Sequence, residues 1–241
     1  MIYEQQHFYL FSFSVLSAPS AVPTKKSSSQ NPPPMNTKLP EIIETATFGL
    51  GCFWSPDAQF GVIQGVVRTR VGYAGGTTEN PTYHNIGNHI EAVEIDFATS
   101  QISYPELLEI FWRSHNPRQS PSWSRQYMDA VFYRSKSQRQ CVEQKRDREQ
   151  AHGVEIYTLI QPLTEFYLAE DYHQKYYLRQ EPELMKEFDC TEFVNSTLAA
   201  RVNGSVAGFC SFSNLQEEIR DFGLSATGCE KLEKIVSRRR H

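Results

Sequence analysis

The chain has 241 residues, of which 39% are hydrophobic and 22% charged, with a formal net charge of −4. That size allows one substantial domain with an appendage, and the balance suits a globular protein. The negative charge argues against nucleic-acid binding, which would show as a basic face, and no apolar run is long enough to span a bilayer.

Residues 1–42 read as a disordered leader and linker. "HFYLFSFSVLSAPSA" has the apolar run and small residues of a signal peptide, but "MIYEQQ" before it lacks positive charge. The Ser/Pro-rich "VPTKKSSSQNPPPMNTKLP" reads as a linker. A cytoplasmic location is expected, with targeting by this leader as the alternative.

Strand and helix periods then alternate. Residues 44–50 read as a strand and Ser55 to Gln64 as a helix. "GVVRTRVGYAGG" reads as a strand, 77–89 as a loop, and "EAVEIDF" as a strand in which Ala92, Glu94 and Asp96 alternate with Val93, Ile95 and Phe97. Glu94 and Asp96 are expected to face solvent. "SYPELLEIFWRSHN" is a helix with a Ser103–Glu106 capping box and an apolar face of Leu107, Leu108, Phe111 and Trp112. "MDAVFY" and "VEIYTLI" read as strands around a charged helix at 136–151. "AEDYHQKYYLR" and 191–202 read as helical. Ser213 with Gln216, and Thr227 with Glu230, are expected to cap two last helices. The order predicts an α+β, two-layer sandwich with a mixed sheet, a ferredoxin-like core and extra C-terminal elements. The expected organisation is a domain over 43–180 and a helical extension over 181–241 packed on it.

There are five cysteines, Cys52, Cys141, Cys190, Cys210 and Cys229, widely spaced and without C-x-x-C. Neither a disulfide scaffold nor a structural zinc site fits that spacing. Cys52 falls in "TFGLGCFWSPDAQFG", where a strand hands over to a helix. A helix N-terminus favours an anion, so a thiolate placed there is a candidate nucleophile. The alternative is a small buried hydrophobe. Phe53 and Trp54 follow it. Two adjacent aromatics cannot easily both point inward, so at least one is expected to line a pocket for a small apolar or thioether group.

"GCFW", "GYAGG", "NPTYHNIGNHIEAVEIDF", "SYPELLEIFWRSHNP", "QYMDAVFY" and "AEDYHQKYY" resemble, in order and over roughly 46–179, the methionine sulfoxide reductase A family. The resemblance implies that Cys52 attacks the sulfoxide sulfur and becomes a sulfenic acid. It makes Phe53 and Trp54 the methyl pocket, Glu91 a protonated general acid, and Tyr83 and Tyr127 donors to the sulfoxide oxygen. It implies methionine-S-sulfoxide, free or in proteins, as substrate. No bound cofactor or metal is expected. An external thiol, thioredoxin or dithiothreitol, is the reductant. No nucleic-acid or membrane partner is expected, and a monomer is. His89 and His173 are expected to be structural hydrogen-bonders rather than metal ligands.

Three features depart from that pattern. Ser55 stands where the family has glycine, and is expected to cap the helix that Pro56 opens. Ser122 stands where the family has an aspartate that helps to bind substrate. The usual glycine-rich tail is replaced by about sixty residues that look folded, leaving Cys190, Cys210 and Cys229 as candidates to resolve the sulfenic acid. Cys229, in the first turn of a helix, is expected to favour its thiolate. Two other readings stay open: a binding or redox-sensing protein with weakened turnover, and a cysteine hydrolase.

Overall fold

A computed structural model describes residues 41–119, 124–151, 153, 155–189 and 191–238. The leader up to Pro40, Ser122 and Cys190 lie outside these residues. Six strands are described: β1 (Ile43–Gly49), β2 (Val66–Ala74), β3 (Ile90–Ala98), β4 (Ala130–Tyr133), β5 (Leu159–Pro162) and β6 (Phe166–Leu168). Three helices accompany them: α1 (Trp54–Gly61), α2 (Tyr104–Arg113) and α3 (Lys136–Gln150). Five follow: α4 (Tyr176–Arg179), α5 (Pro182–Met185), α6 (Thr197–Ala207), α7 (Phe212–Glu218) and α8 (Ala226–Arg238).

The strands form one sheet in the order β5-β4-β1-β3-β2-β6. Only the β4–β5 pair is parallel, so the sheet is mixed as expected. β1 and β3 are its centre. Phe48 of β1 pairs with Val93 of β3, which brings the end of β1 and the start of β3 to one edge. On one face Phe48, Val93, Ile95 and Phe97 pack against Phe60 of α1 and Leu107, Phe111 and Trp112 of α2. Each fully buried side chain of this kind contributes about 2 kcal/mol. The capping box of α2 is present, with Glu106 accepting from the Ser103 N–H at 2.9 Å.

Glu94 and Asp96 do not face solvent. Both are buried. Glu94 is ion-paired to Arg70 and Arg134, and Asp96 to Arg68. Alternation correctly placed them opposite the apolar face, but it could not show that Arg68 and Arg70 of β2 and Arg134, just after β4, would cover them.

The C-terminal helices build a second core from Leu178, Phe193, Val202, Leu215, Leu232 and Val236. It meets the sheet layer where α6 crosses α1. A Cβ on Gly61 would stand 2.4 Å from the Ala200 carbonyl oxygen, and one on Gly204 would stand 2.2 Å from that of Ala58. Only glycine permits this crossing. Asn203 is fully buried here and hydrogen-bonds the Leu178 N–H and the Asp57 carboxylate.

Several boundaries differ from the sequence reading. α7 and α8 are capped two residues earlier than expected, by Ser211, which accepts from Asn214 N–H, and Ser225, which accepts from Gly228 N–H. "VEIYTLI" becomes strand only from Leu159, because Tyr157 N–H donates to the Pro117 carbonyl instead of to a ladder. The short β6 against β2 was not anticipated. "AEDYHQKYYLR" is a single 3-10 turn over Asp171–His173, a break, and then α4. The break is caused by burial. Gln174 spends its amide on Val71 and Ala169 backbone groups, and Lys175 sits at φ 52 with its ammonium inside the protein.

Candidate active site

β1 ends at Gly49 and α1 begins at Trp54, so Cys52 occupies the tight turn between them. Phe53 is the N-cap of α1, and Ser55 lies in the first turn rather than at the cap. No side chain of the helix caps it. Glu91, from the start of β3, does so instead: its Oε2 accepts from the Phe53 N–H at 3.0 Å. The residue after the thiol and the buried carboxyl are thereby tied together. Glu91 Oε1 accepts from the Gln126 amide at 2.7 Å. Both donors are neutral.

Burial pushes the Glu91 carboxyl up to about 7, against the two hydrogen bonds that favour its anion. Burial also pushes the Cys52 thiol up to about 11, with the neighbouring Glu91 charge adding to the rise and the Trp54 N–H opposing it. The helix start therefore does not hold a free thiolate at neutral pH. Desolvation outweighs a single N–H.

The two aromatics after Cys52 divide as the turn demands. Phe53 is 1% exposed and packs with Val71, Tyr73 and Ala169. Trp54 is half-buried, stacks on Tyr176 with ring centres 3.6 Å apart, and donates its Nε1–H to His173 Nδ1 at 3.2 Å. That donation fixes the His173 proton on Nε2, and burial lowers its pKa. His173 also lies 4.8 Å, centre to centre, from the Tyr83 ring. His89 accepts from Gly76 N–H and bonds the Thr78 carbonyl. Both histidines are hydrogen-bonded to neighbouring groups, and no group of three or more metal-ligating side chains occurs among the described residues.

Tyr83 is held in place by Glu170, which accepts its backbone N–H at 2.9 Å and the Tyr73 hydroxyl at 2.8 Å. Tyr127 closes the 3-10 turn Arg125–Tyr127, which Ser124 caps. Arg125 fastens that turn to the Tyr83 loop by donating to the Asn88 and Gly75 carbonyls. The Tyr127 hydroxyl bonds Tyr83 and feels the charges of Glu91 and Cys52, and these together with burial raise its pKa. Glu91 and Cys52 thus meet at the Phe53 N–H and lie close enough to Tyr127 for their charges to reach it, Tyr127 bonds Tyr83, and Trp54 adjoins Tyr83 through His173.

Among the described residues, Cys210 and Cys229 are not brought to Cys52. Cys210 shares a small cavity with Val62, at the far end of α1. Eight helical residues separate the two ends by about 12 Å, beyond the roughly 7 Å limit of a disulfide's Cα atoms. Cys229 faces the Ile219 and Leu224 carbonyls inside the helical region. Burial and the nearby Glu233 and Glu187 raise its pKa, so its place in α8 does not favour the thiolate.

A family model described as peptide methionine sulfoxide reductase matches residues 44–204. The chain belongs to the peptide methionine sulfoxide reductase family. Members of this oxidoreductase family similar to it include peptide methionine sulfoxide reductase A5 of Oryza sativa subsp. japonica, 40% identical over 73% of this chain and 72% of that protein. The Drosophila melanogaster enzyme is 37% identical over 76% of each chain. Among solved structures, methionine sulfoxide reductase A of Corynebacterium diphtheriae is 31% identical with a TM-score of 0.52, covering 68% of this chain and 86% of that one. The reduced form of Mxr1 from Saccharomyces cerevisiae gives a TM-score of 0.53 at 26% identity, over 61% and 89%. These neighbours share the mixed α+β architecture described above.

Sequence reasoning missed the residues that hold the site together. Gln126 stands beside the tyrosine of the Q-Y pair, and that adjacency was its only signal. Glu170, Gln174 and Lys175 lie in a motif read as a helix, so their inward direction was hidden.

Proposed function

We propose that Cys52 reduces methionine-S-sulfoxide with Glu91 as the proton donor. The observation that carries this is the Glu91 carboxyl itself. It is fastened to the N–H of the residue after Cys52, buried, and paired with no cation among the described residues. A carboxyl so placed keeps its proton to near neutrality and can deliver it to an oxygen held over the thiol.

The Cys52 sulfur attacks the sulfoxide sulfur, forming an S–S bond that breaks together with the S–O bond as the oxygen passes to Cys52. The oxygen leaves on Cys52 as a sulfenic acid and the thioether is released. The substrate sulfur gains two electrons and Cys52 loses them. Glu91 supplies the proton to the oxygen and is reprotonated by the one the thiol gives up. Tyr83 and Tyr127 donate to the oxygen as it gains charge. The indole of Trp54 faces the methyl group and the sulfur, which turns more positive during the reaction. An external thiol then attacks the sulfenic acid, releasing water and leaving a mixed disulfide. A second thiol frees Cys52. Thioredoxin is the reductant that the family resemblance implies. The remoteness of Cys210 and Cys229 favours direct resolution by the external thiol.

With methionine-S-sulfoxide and dithiothreitol, the unaltered chain turns over repeatedly and Cys52→Ala falls to background. Glu91→Gln, whose amide donates a hydrogen bond but no proton, loses about 10²–10³-fold in rate. Full activity in the Gln variant would contradict the acid role, and a single stoichiometric release by the unaltered chain would favour a sensor over an enzyme.

A further inference from the structure

The aromatic wall of the site lies toward β2 and β6. Toward β4 and β5, a groove of about 270 Å³ includes Gly51, the residue before Cys52. Its lining includes Leu50, Gly51, His115, Tyr127, Asp129 and Tyr157. Two of these join it to the reacting centre. Gly51 precedes the thiol, and Tyr127 bonds Tyr83. Gly51 sits at φ 64 with nothing within 4 Å of where a Cβ would stand, so the chain entering Cys52 is bare on this side.

One group in the groove lacks a partner. The Asp129 carboxyl makes no hydrogen bond and no ion pair among the described residues; only its backbone carbonyl is used, by Leu159 N–H. His115 cannot neutralise it. Both its ring nitrogens are engaged, with the Phe111 carbonyl and Thr158 Oγ1, and burial lowers its pKa to about 4. Burial pushes Asp129 itself up to about 7. A half-buried carboxylate with no donor is costly, and a ligand N–H would relieve that cost.

The substrate supplies one. With its methyl group against the aromatic wall and its sulfur over Cys52, the remaining valence of that sulfur leads through two methylenes to the α-carbon on the far side. We infer that this groove receives the main-chain nitrogen of the substrate, with the Asp129 carboxylate accepting its N–H. The inference rests on Cys52 as the reacting group. The donor is either the ammonium of the free amino acid or the amide N–H of a peptide.

Steady-state kinetics of Asp129→Asn at pH 8, on free L-methionine-S-sulfoxide and on its N-acetyl derivative, test this. An ammonium donor raises KM about tenfold for the free amino acid and under twofold for the acetylated one. An amide donor raises KM at least threefold for both. In either case kcat stays within twofold and the melting temperature is unchanged. Unaltered KM for both substrates, or a loss confined to kcat, overturns the inference while leaving the Cys52 reading intact. No turnover by the unaltered chain overturns both.

Discussion

Two carboxylates are buried at the start of α1, and they are held in opposite ways. Asp57, inside the helix, accepts from the Lys175 ammonium at 3.0 Å, from the Lys175 N–H, from Thr69 Oγ1 at 2.6 Å and from the Asn203 amide. Glu91, at the helix entrance, accepts among the described residues from the Phe53 N–H and the Gln126 amide. A cation compensates the first and not the second. The difference separates structure from chemistry. A paired charge in the interior fixes geometry, whereas an acid surrounded by neutral donors keeps a proton it can give away.

The Asp57–Lys175 pair joins α1, β2, the segment before α4, and α6. Removing one partner leaves the other uncompensated. Lys175→Met is expected to cost about 3–5 kcal/mol in urea unfolding, with part of that recovered in the Asp57→Asn/Lys175→Met double variant. Equal stability of the single variant and the parent would remove the contrast with Glu91.

The Glu91 side of the comparison has a pH signature. Its folded value of about 7 lies above the ordinary 4.5, so the folded chain holds this proton more tightly than the unfolded one. The resulting stabilisation is fully present below pH 4.5 and is lost as pH rises through 7. That difference corresponds to an effect on the order of 3 kcal/mol. Denaturation midpoints at pH 5 and pH 7.5 should therefore fall further for the parent than for Glu91→Gln. Parallel behaviour would show that Glu91 is not held neutral. The smallest expected effect is at Tyr83. Tyr83→Phe keeps the packing but removes one of the two hydroxyls proposed to donate to the oxygen, and should lower kcat about tenfold with stability nearly unchanged.

The proposed reacting groups were legible in the sequence because short motifs carry them: Cys52 and Trp54 in GCFW, Tyr83 and Glu91 in NPTYHNIGNHIEAVEIDF, and Tyr127 in QYMDAVFY. The structure gathers all of them. Their supports were not legible. Asp57 read as an acidic residue at a helix start, and its partner Lys175 lies 118 positions away. Glu94 and Asp96 read as surface for the same reason, since their arginines come from β2 and from just after β4. The caps Ser211 and Ser225 were misplaced by two residues because a second hydroxyl stands nearby in each case, and only the buried positions of Leu215 and Leu232 decide which one starts the helix. Local pattern shows what a residue can do; partners distant in sequence decide what it does.

The most direct measurement is a single turnover with methionine-S-sulfoxide in the absence of any added thiol, followed by a sulfenic-acid-specific probe and peptide mass spectrometry. One methionine should be released per chain, with the probe on Cys52 alone and no disulfide between Cys52 and Cys210 or Cys229. Release of methionine with Cys52 unmodified and another cysteine carrying the probe would contradict the account.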